Sequence, residues 1–307
     1  MPRLRSLTLI AALFAGLAAP ASAQQTLTAP GPEGELAGTL VTPKPDHPLV
    51  LIIPGSGMTD RDGNNPLAVT AAPYRLLADA LQQRGIGTLR IDKRGMFGSK
   101  AATADPNAVT IADYVADTAS WIESARAQIA IDCVWLLGHS EGAIVALAAA
   151  QELDNLCGVI LVTAPGRPMG TVLREQLHAN PANAPLLEGV DAAIAELEAG
   201  RRVDVESLHP LLGRLFAPTV QGFMIDLMAH DPAQLAATTD GPLLIVHGGN
   251  DLQIGDADAA ALRAGAPDAE YVEIDAMNHV FKEVPADDPF ANRASYADAS
   301  LPVAPAL

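Results

Sequence analysis

Near the middle of the chain, Gly138-His139-Ser140-Glu141-Gly142 holds a serine between two glycines. An apolar run, Val134–Leu137, leads into this segment, and an alanine-rich run, Ala143–Ala150, leads away from it. Read as strand, tight turn and helix, that spacing exposes the Ser140 hydroxyl at the head of a sheet, close to a helix N-terminus that favours developing negative charge. Glycines at 138 and 142 let strand and helix approach without Cβ clashes. A serine so placed can attack an acyl carbon, but only if a base removes its proton.

The candidates for that work lie downstream in the order acid, then histidine. The apolar run Leu243–Val246 is followed by His247-Gly248-Gly249-Asn250-Asp251, and Tyr271–Ile274 by Asp275-Ala276-Met277-Asn278-His279. Both loops follow strands at their carboxyl ends, so Asp251 and His279 reach the same sheet edge as Ser140. In this reading His279 takes the serine proton, while Asp251 orients the imidazole and stabilises its cation. Asp256 and Asp258 stand close enough to compete for the acid role. The His139 side chain is expected to point away from the chemistry, and His47, His178, His209, His230 and His247 read as surface or turn residues. Acyl transfer also needs donors for an oxyanion. Leu49–Ile53 ends in Pro54-Gly55-Ser56-Gly57, so one donor is expected from the Ser56 N–H and the other from the Glu141 N–H. The polar run Thr59–Asn64 fits either a self-bonded surface loop or the mouth of a pocket.

The elements that must position these groups follow from hydrophobic rhythm. Residues 25–42 alternate polar and apolar and read as an antiparallel hairpin at a sheet edge. Beyond them, short apolar runs at Leu49–Ile53, Gly87–Ile91, Val134–Leu137, Gly158–Thr163, Leu243–Val246 and Tyr271–Ile274 alternate with helical segments near 73–84, 110–130, 141–153 and 256–264. Continuous apolar strands separated by helices imply an α/β architecture with a mostly parallel sheet covered on both faces. From Gly166 to about Asp240 no strand is expected. Helical patches at Leu186–Ala199, Leu208–Phe216 and Val220–Met228, cut by prolines, read as a cap over the carboxyl edge. The division is therefore a leader over 1–23, a core of 24–165 and 241–307, and a helical lid insertion over 166–240.

Arg3 and Arg5, an uncharged apolar stretch from Leu7 to Ala19, and Ala21-Ser22-Ala23 form the pattern of a cleavable signal peptide. Cleavage is expected after Ala23, with the protein periplasmic or secreted. The apolar stretch is too short to span a bilayer, so no stable membrane insertion is expected. With 36 acidic against 19 basic side chains, nucleic acid is excluded as a partner. Apolar residues make up 49% and aromatics 4% of the chain, so its core must be built from Ala, Leu, Val and Ile. No histidine or cysteine spacing suits a metal, and no cofactor is expected. Cys133 and Cys157 precede the elbow strand and the strand after it by matching intervals. They either pair as a disulfide or remain two buried thiols.

The loop at 54–57, Asp92-Lys93-Arg94-Gly95 after a strand, the elbow at 138–142 and the Asp251 and His279 loops together resemble the α/β-hydrolase superfamily. Within it they are most similar to the serine aminopeptidase and lysophospholipase-like esterase branch. The resemblance implies a cofactor-free hydrolase, most often of carboxylic esters, acting on a small-molecule acyl ester or a peptide-like substrate. An aminopeptidase, an amidase or an acyltransferase would use the same triad, whereas a non-catalytic binding protein of this fold would require one of these groups to be broken. Leu211, Leu212, Leu215, Phe216, Phe223, Met224, Leu227 and Met228 are expected mainly to fill the core of the insertion, some of them facing substrate. Two departures stand out. Pro54-Gly55 replaces the usual His-Gly, and residues 284–307 carry four prolines and no sustained helical period. The terminal helix of such domains is therefore expected to be absent or lost by truncation, with one face of the last strands poorly covered.

Overall fold

The computed structural model describes residues 24–66 and 69–307; the leader expected over 1–23 lies outside them. Gln24–Pro30 (β1) and Glu35–Val41 (β2) form the antiparallel edge hairpin. Six further strands are Leu49–Ile53 (β3), Gly87–Ile91 (β4), Val134–His139 (β5), Leu156–Val162 (β6), Leu243–Gly248 (β7) and Glu270–Ile274 (β8). They complete an eight-stranded sheet in the order β1-β2-β4-β3-β5-β6-β7-β8, with β2 antiparallel to β4 and every later pairing parallel.

Alternation along the central strands builds two cores. Leu49, Leu51 and Ile53 of β3 point to one face, where they meet Trp121 and Ile122 of α2 (Ile111–Gln128) and the apolar side of α3 (Glu141–Ala150). Val50 and Ile52 point to the other, against Tyr74 and Leu77 of α1 (Pro73–Gln83), Phe281 and Val303. A one-residue slip would exchange these faces, so burial on both sides pins the register. Helix α2 begins at a reciprocal cap in which Thr110 and Asp113 bind each other's backbone N–H.

Between β6 and β7 lie only helices: Met169–His178 (α4), Leu187–Glu198 (α5), Pro210–Leu215 (α6), Pro218–Met228 (α7) and Pro232–Ala237 (α8). Three of them open on proline, which suits a helix's first turn because its missing N–H is not needed there. Val190, Ile194, Leu197, Leu212, Phe216 and Met228 bury one another as a small separate core. Phe223 and Leu227 turn instead to the main core, where Phe223 meets Tyr114 of α2 edge-on at 5.9 Å. Helix Asp256–Gly265 (α9) links β7 to β8.

The carboxyl-terminal region differs from expectation. A short helix, Pro289–Ser295 (α10), forms where no helical period was visible, because the Asp288 carboxylate accepts from the N–H groups of Phe290 and Ala291. The tail beyond it is irregular but anchored: Val303 and Ala304 are buried, and the Ala304 N–H donates to Phe281 O at 2.7 Å. At the strands' amino ends an apolar groove of about 380 Å³, lined by Val50, Leu77, Trp135, Leu137, Leu244 and Leu307, marks the face expected to be thinly covered.

Cys133 and Cys157 are bonded, with Cα atoms 5.1 Å apart and a sequence separation of 24. The pair staples the entry of β5 to that of β6, neighbours in the sheet. No thiol should therefore react in denaturant without reductant. Replacing both cysteines by alanine should lower the unfolding free energy by about 3.5 kcal/mol, the chain-entropy value for a loop of this size, as read from denaturant midpoints.

Candidate functional site

The turn between β5 and α3 is the strained element that the sequence pattern requires. Ser140 sits at φ 53°, ψ −126°, a region that only surrounding structure can hold for a residue with a Cβ. Its N–H donates to Val162 O at 3.2 Å, tying the turn to the end of β6. A Cβ on Gly138 would press into the Ala143 backbone, and one on Gly142 would collide with the carbonyl oxygens of Ile53 and Pro54. Strand, helix and the loop after β3 can thus lie against one another only with glycine at both positions.

Asp251 and His279 come together as their loop positions imply. His279 Nδ1 lies 2.7 Å from Asp251 Oδ2, and the Asp251 side chain is fully buried. Its other oxygen, Oδ1, accepts from the N–H groups of Gln253 and Ile254 at 2.7 and 3.1 Å, so the carboxylate cannot swing away. With Nδ1–H committed to Asp251, His279 Nε2 carries the lone pair. Ser140 and His279 line one cavity of about 140 Å³ together with Gly55, Ser56, Tyr74, Val69, Gln253 and Tyr296. No hydrogen bond joins the Ser140 and His279 side chains; such a pair commonly tightens only around substrate. Asp256 and Asp258 are employed elsewhere, Asp256 against His247 and Asp258 against Arg167.

Ser56 lies exposed in the loop after β3, and its N–H donates to no other described residue. Glu141 opens α3, but its carboxylate turns inward, away from the cavity, and pairs with Lys93. The polar run at 59–64 is both of the things it could be. Asp60 accepts from the N–H groups of Asp62 and Asn64, and Arg61 grips Asp92 through two nitrogens, while Thr59 and Gly63 line the cavity.

Two histidines depart from expectation. His247 is buried, with Nε2 3.1 Å from Asp256. His139 does not point away from the site but lies beneath it, its ring 4.7 Å from that of His279. The Gly55 N–H donates to Tyr74 Oη at 3.0 Å, Tyr74 Oη lies 2.6 Å from His139 Nδ1, and His139 Nε2 lies 3.0 Å from His279 O. One proton arrangement satisfies the chain: Tyr74 O–H donates to Nδ1, and Nε2–H donates to the His279 carbonyl. His139 must then be neutral. Burial, and secondarily the nearby His279, push its pKa well below the ordinary value, against a smaller opposing effect of the carbonyl bond.

The carboxyl-terminal segment supplies what a terminal helix was expected to supply. Asn278 Nδ2 donates to Asn292 Oδ1 and Ser295 Oγ at 3.0 and 2.7 Å, and Asn292 Nδ2 donates to Asn250 O at 2.7 Å. Helix α10 thereby clamps the Asp251 loop to the His279 loop. Tyr296 closes one wall of the cavity, its Oη accepting from Gln253 Nε2 at 3.2 Å. Tyr74, Gln253, Asn292 and Tyr296 were not singled out from sequence. Lys93 stood there only within the segment Asp92–Gly95 after a strand, with no role given to its side chain.

A mostly parallel sheet with an antiparallel edge, helices around it and a serine elbow at the head of β5 defines an α/β-hydrolase. The family model described as serine aminopeptidase, S33, matches residues 67–283, and the chain belongs to that family. Esterase EstD of Thermotoga maritima is 28% identical over 254 residues, covering 80% of this chain and 58% of its own, so the chain spans less than two thirds of that relative's length. The esterase domain of a Rhodothermus marinus protein superposes with a TM-score of 0.52 at 20% identity, over 90% of this chain and 93% of its own. A hydrolase from Pseudomonas aeruginosa PA01 gives 0.54 at 18% identity, over 92% and 97%. At these identities the two structures share the fold.

Neutral His139 leads to a pH prediction. The folded chain binds fewer protons at this residue than the unfolded chain, because its pKa is depressed. The stability it contributes is therefore complete above about pH 6.5, the unfolded value, and is lost as pH falls below that. His139→Gln should melt below wild type at pH 7.5 yet lose less stability between pH 7 and 5. Equal slopes in thermal melts would remove His139 as the source of acid sensitivity.

Proposed function

We propose that the chain is a serine hydrolase cleaving small carboxylic esters through an acyl-serine intermediate. The observation that carries this reading is the strained Ser140 sharing a cavity with His279, whose Nδ1 is held by buried Asp251. His279 Nε2 removes the Ser140 proton as Oγ bonds to the acyl carbon. The carbonyl oxygen takes up the electron pair, facing the N–H groups of Ser56 and Glu141. As the tetrahedral centre collapses, the bond to the leaving alkoxide breaks and His279 returns the proton to it. Water, deprotonated by the same imidazole, then releases the acid and frees Ser140. Asp251 remains ionised throughout and stabilises the imidazolium.

Three features support an ester over a peptide with a free α-amine. No carboxylate appears among the described residues lining the cavity, so nothing fixed would hold an ammonium group there. Glu141, the carboxylate next to Ser140 in sequence, is neutralised by Lys93. The name of the relative EstD points the same way. At about 140 Å³ the cavity lies below the usual span of small-molecule sites, roughly 300–1,000 Å³, which favours a short acyl group. The helices of 166–240 contribute no described residue to that lining, so in this reading they cap and stabilise the fold rather than grip the acyl chain. The reading keeps residues 1–23 as a cleaved export signal with the mature protein outside the cytoplasm. The Cys133–Cys157 bond supports this, since disulfides persist in oxidising compartments.

A fluorophosphonate should label Ser140 once, as located by mass mapping, and should not label Ser140→Ala. His279→Ala should lower kcat on p-nitrophenyl acetate by at least about 1,000-fold, from the scale of triad deletions. Turnover should fall from acetate and butyrate to dodecanoate, and aminoacyl p-nitroanilides should be poor substrates. An adduct on another residue, or faster anilide than ester turnover, would overturn the proposal.

A further inference from the structure

Lys93 follows β4 and is 3% exposed, as is its partner Glu141. The ammonium donates to Glu141 Oε1 at 3.1 Å and to Gly55 O at 2.8 Å, with the Tyr114 ring centroid 5.3 Å away. Burying such a pair gains little stability over a well-packed apolar pair, because desolvation consumes most of the attraction. Its placement is the informative feature. The two residues it binds belong to the two segments that carry the oxyanion donors assigned above.

We propose that Lys93 is the positioning residue of the oxyanion hole, setting both backbone donors through its bonds to Gly55 O and the Glu141 carboxylate. This rests on the reading of Ser56 and Glu141 as donors. The Gly55 carbonyl belongs to the same peptide unit as the Ser56 N–H. That unit is planar and trans, so drawing the C=O down onto Lys93 turns the N–H the opposite way, towards the cavity. Tyr74 holds the N–H side of Gly55, so the residue is pinned at both ends. Glu141 is the first residue of α3, where backbone N–H groups lack intrahelical partners. Anchoring its side chain below the helix holds the first turn, and with it the Glu141 N–H beside Ser140. Strands β3 and β5 pair up to Ile53 and Gly138, and beyond that point their ladder gives no further guidance. Lys93 bridges the two chains just past the place where pairing ends. Burial pulls its pKa down, but the Glu141 carboxylate and the nearby Tyr114 outweigh this and leave it raised, so the three-proton donor persists.

Lys93→Met alone would strand a buried carboxylate, so the test uses K93M/E141Q, which removes both charges together. On p-nitrophenyl butyrate this variant should lose about 100-fold in kcat, the scale of losing one oxyanion donor, with KM within about threefold. A trifluoromethyl ketone, whose adduct with serine bears an oxyanion, should lose affinity in proportion to kcat. K93Q/E141Q, where an amide N–H can return to Gly55 O, should recover part of the loss, and its kcat against KM is read in its place should K93M/E141Q lack a cooperative melt. A cooperatively folded K93M/E141Q with kcat within about threefold of wild type overturns the assignment of Lys93 while leaving the Ser140 reading intact. Failure of wild type to form the Ser140 fluorophosphonate adduct overturns that reading, and the assignment of Lys93 with it.

Discussion

Between β5 and α3 the chain changes direction within a single residue, and almost everything near the site follows from that turn. A non-glycine residue at positive φ costs roughly 1–3 kcal/mol, and the cost is met by packing that tolerates no alternative. Gly138 and Gly142 let the helix start, the strand end and the Ile53–Pro54 carbonyls share one small space. The same closeness brings the loop after β3 beside Ser140.

Near that turn several buried charges are held by opposite partners or by backbone N–H groups. Asp251 is held by His279 and two backbone N–H groups, Glu141 by Lys93, and Asp117 by Arg94 through two bonds of 2.6 and 2.7 Å. A chain with so large an acidic excess leaves most carboxylates in water and draws its few buried cations to defined partners. His139 is the opposite solution to the same problem. It is buried beside a second imidazole, so it stays neutral and connects Gly55, Tyr74 and His279 by hydrogen bonds alone.

The carboxyl-terminal segment shows how hydrogen bonds can hold a mostly irregular stretch in place. Asn250, Asn278, Asn292 and Ser295 exchange side-chain and backbone hydrogen bonds there. A buried polar network of this kind is worth having only when its members are satisfied. It draws the Asp251 and His279 loops together, and Tyr296 extends it to the cavity wall.

The strands, their parallel pairing and the positions of Ser140, Asp251 and His279 were legible in sequence. Each rests on a local rule: a run of apolar residues long enough for a strand, a glycine spacing that only one turn accepts, a loop that must follow a strand's carboxyl end. The helix at Pro289–Ser295 was not legible, because two turns fixed by an Asp288 cap leave no hydrophobic period. The apolar residues of 166–240 were expected mainly to fill the insertion's own core, but the sequence could not tell that Phe223 packs on α2, since a core face and a substrate-facing surface have the same composition. What residue types and spacing determined by themselves was where Ser140, Asp251 and His279 stand along the chain, and the sheet edge that presents them. Tertiary structure alone decided the direction of each polar side chain. Glu141 turned down to Lys93, His139 turned under His279, and Tyr296 closed the cavity, because those choices depend on which distant partner satisfies a buried group, and contacts across 48, 140 and 43 residues leave no periodic trace in a sequence.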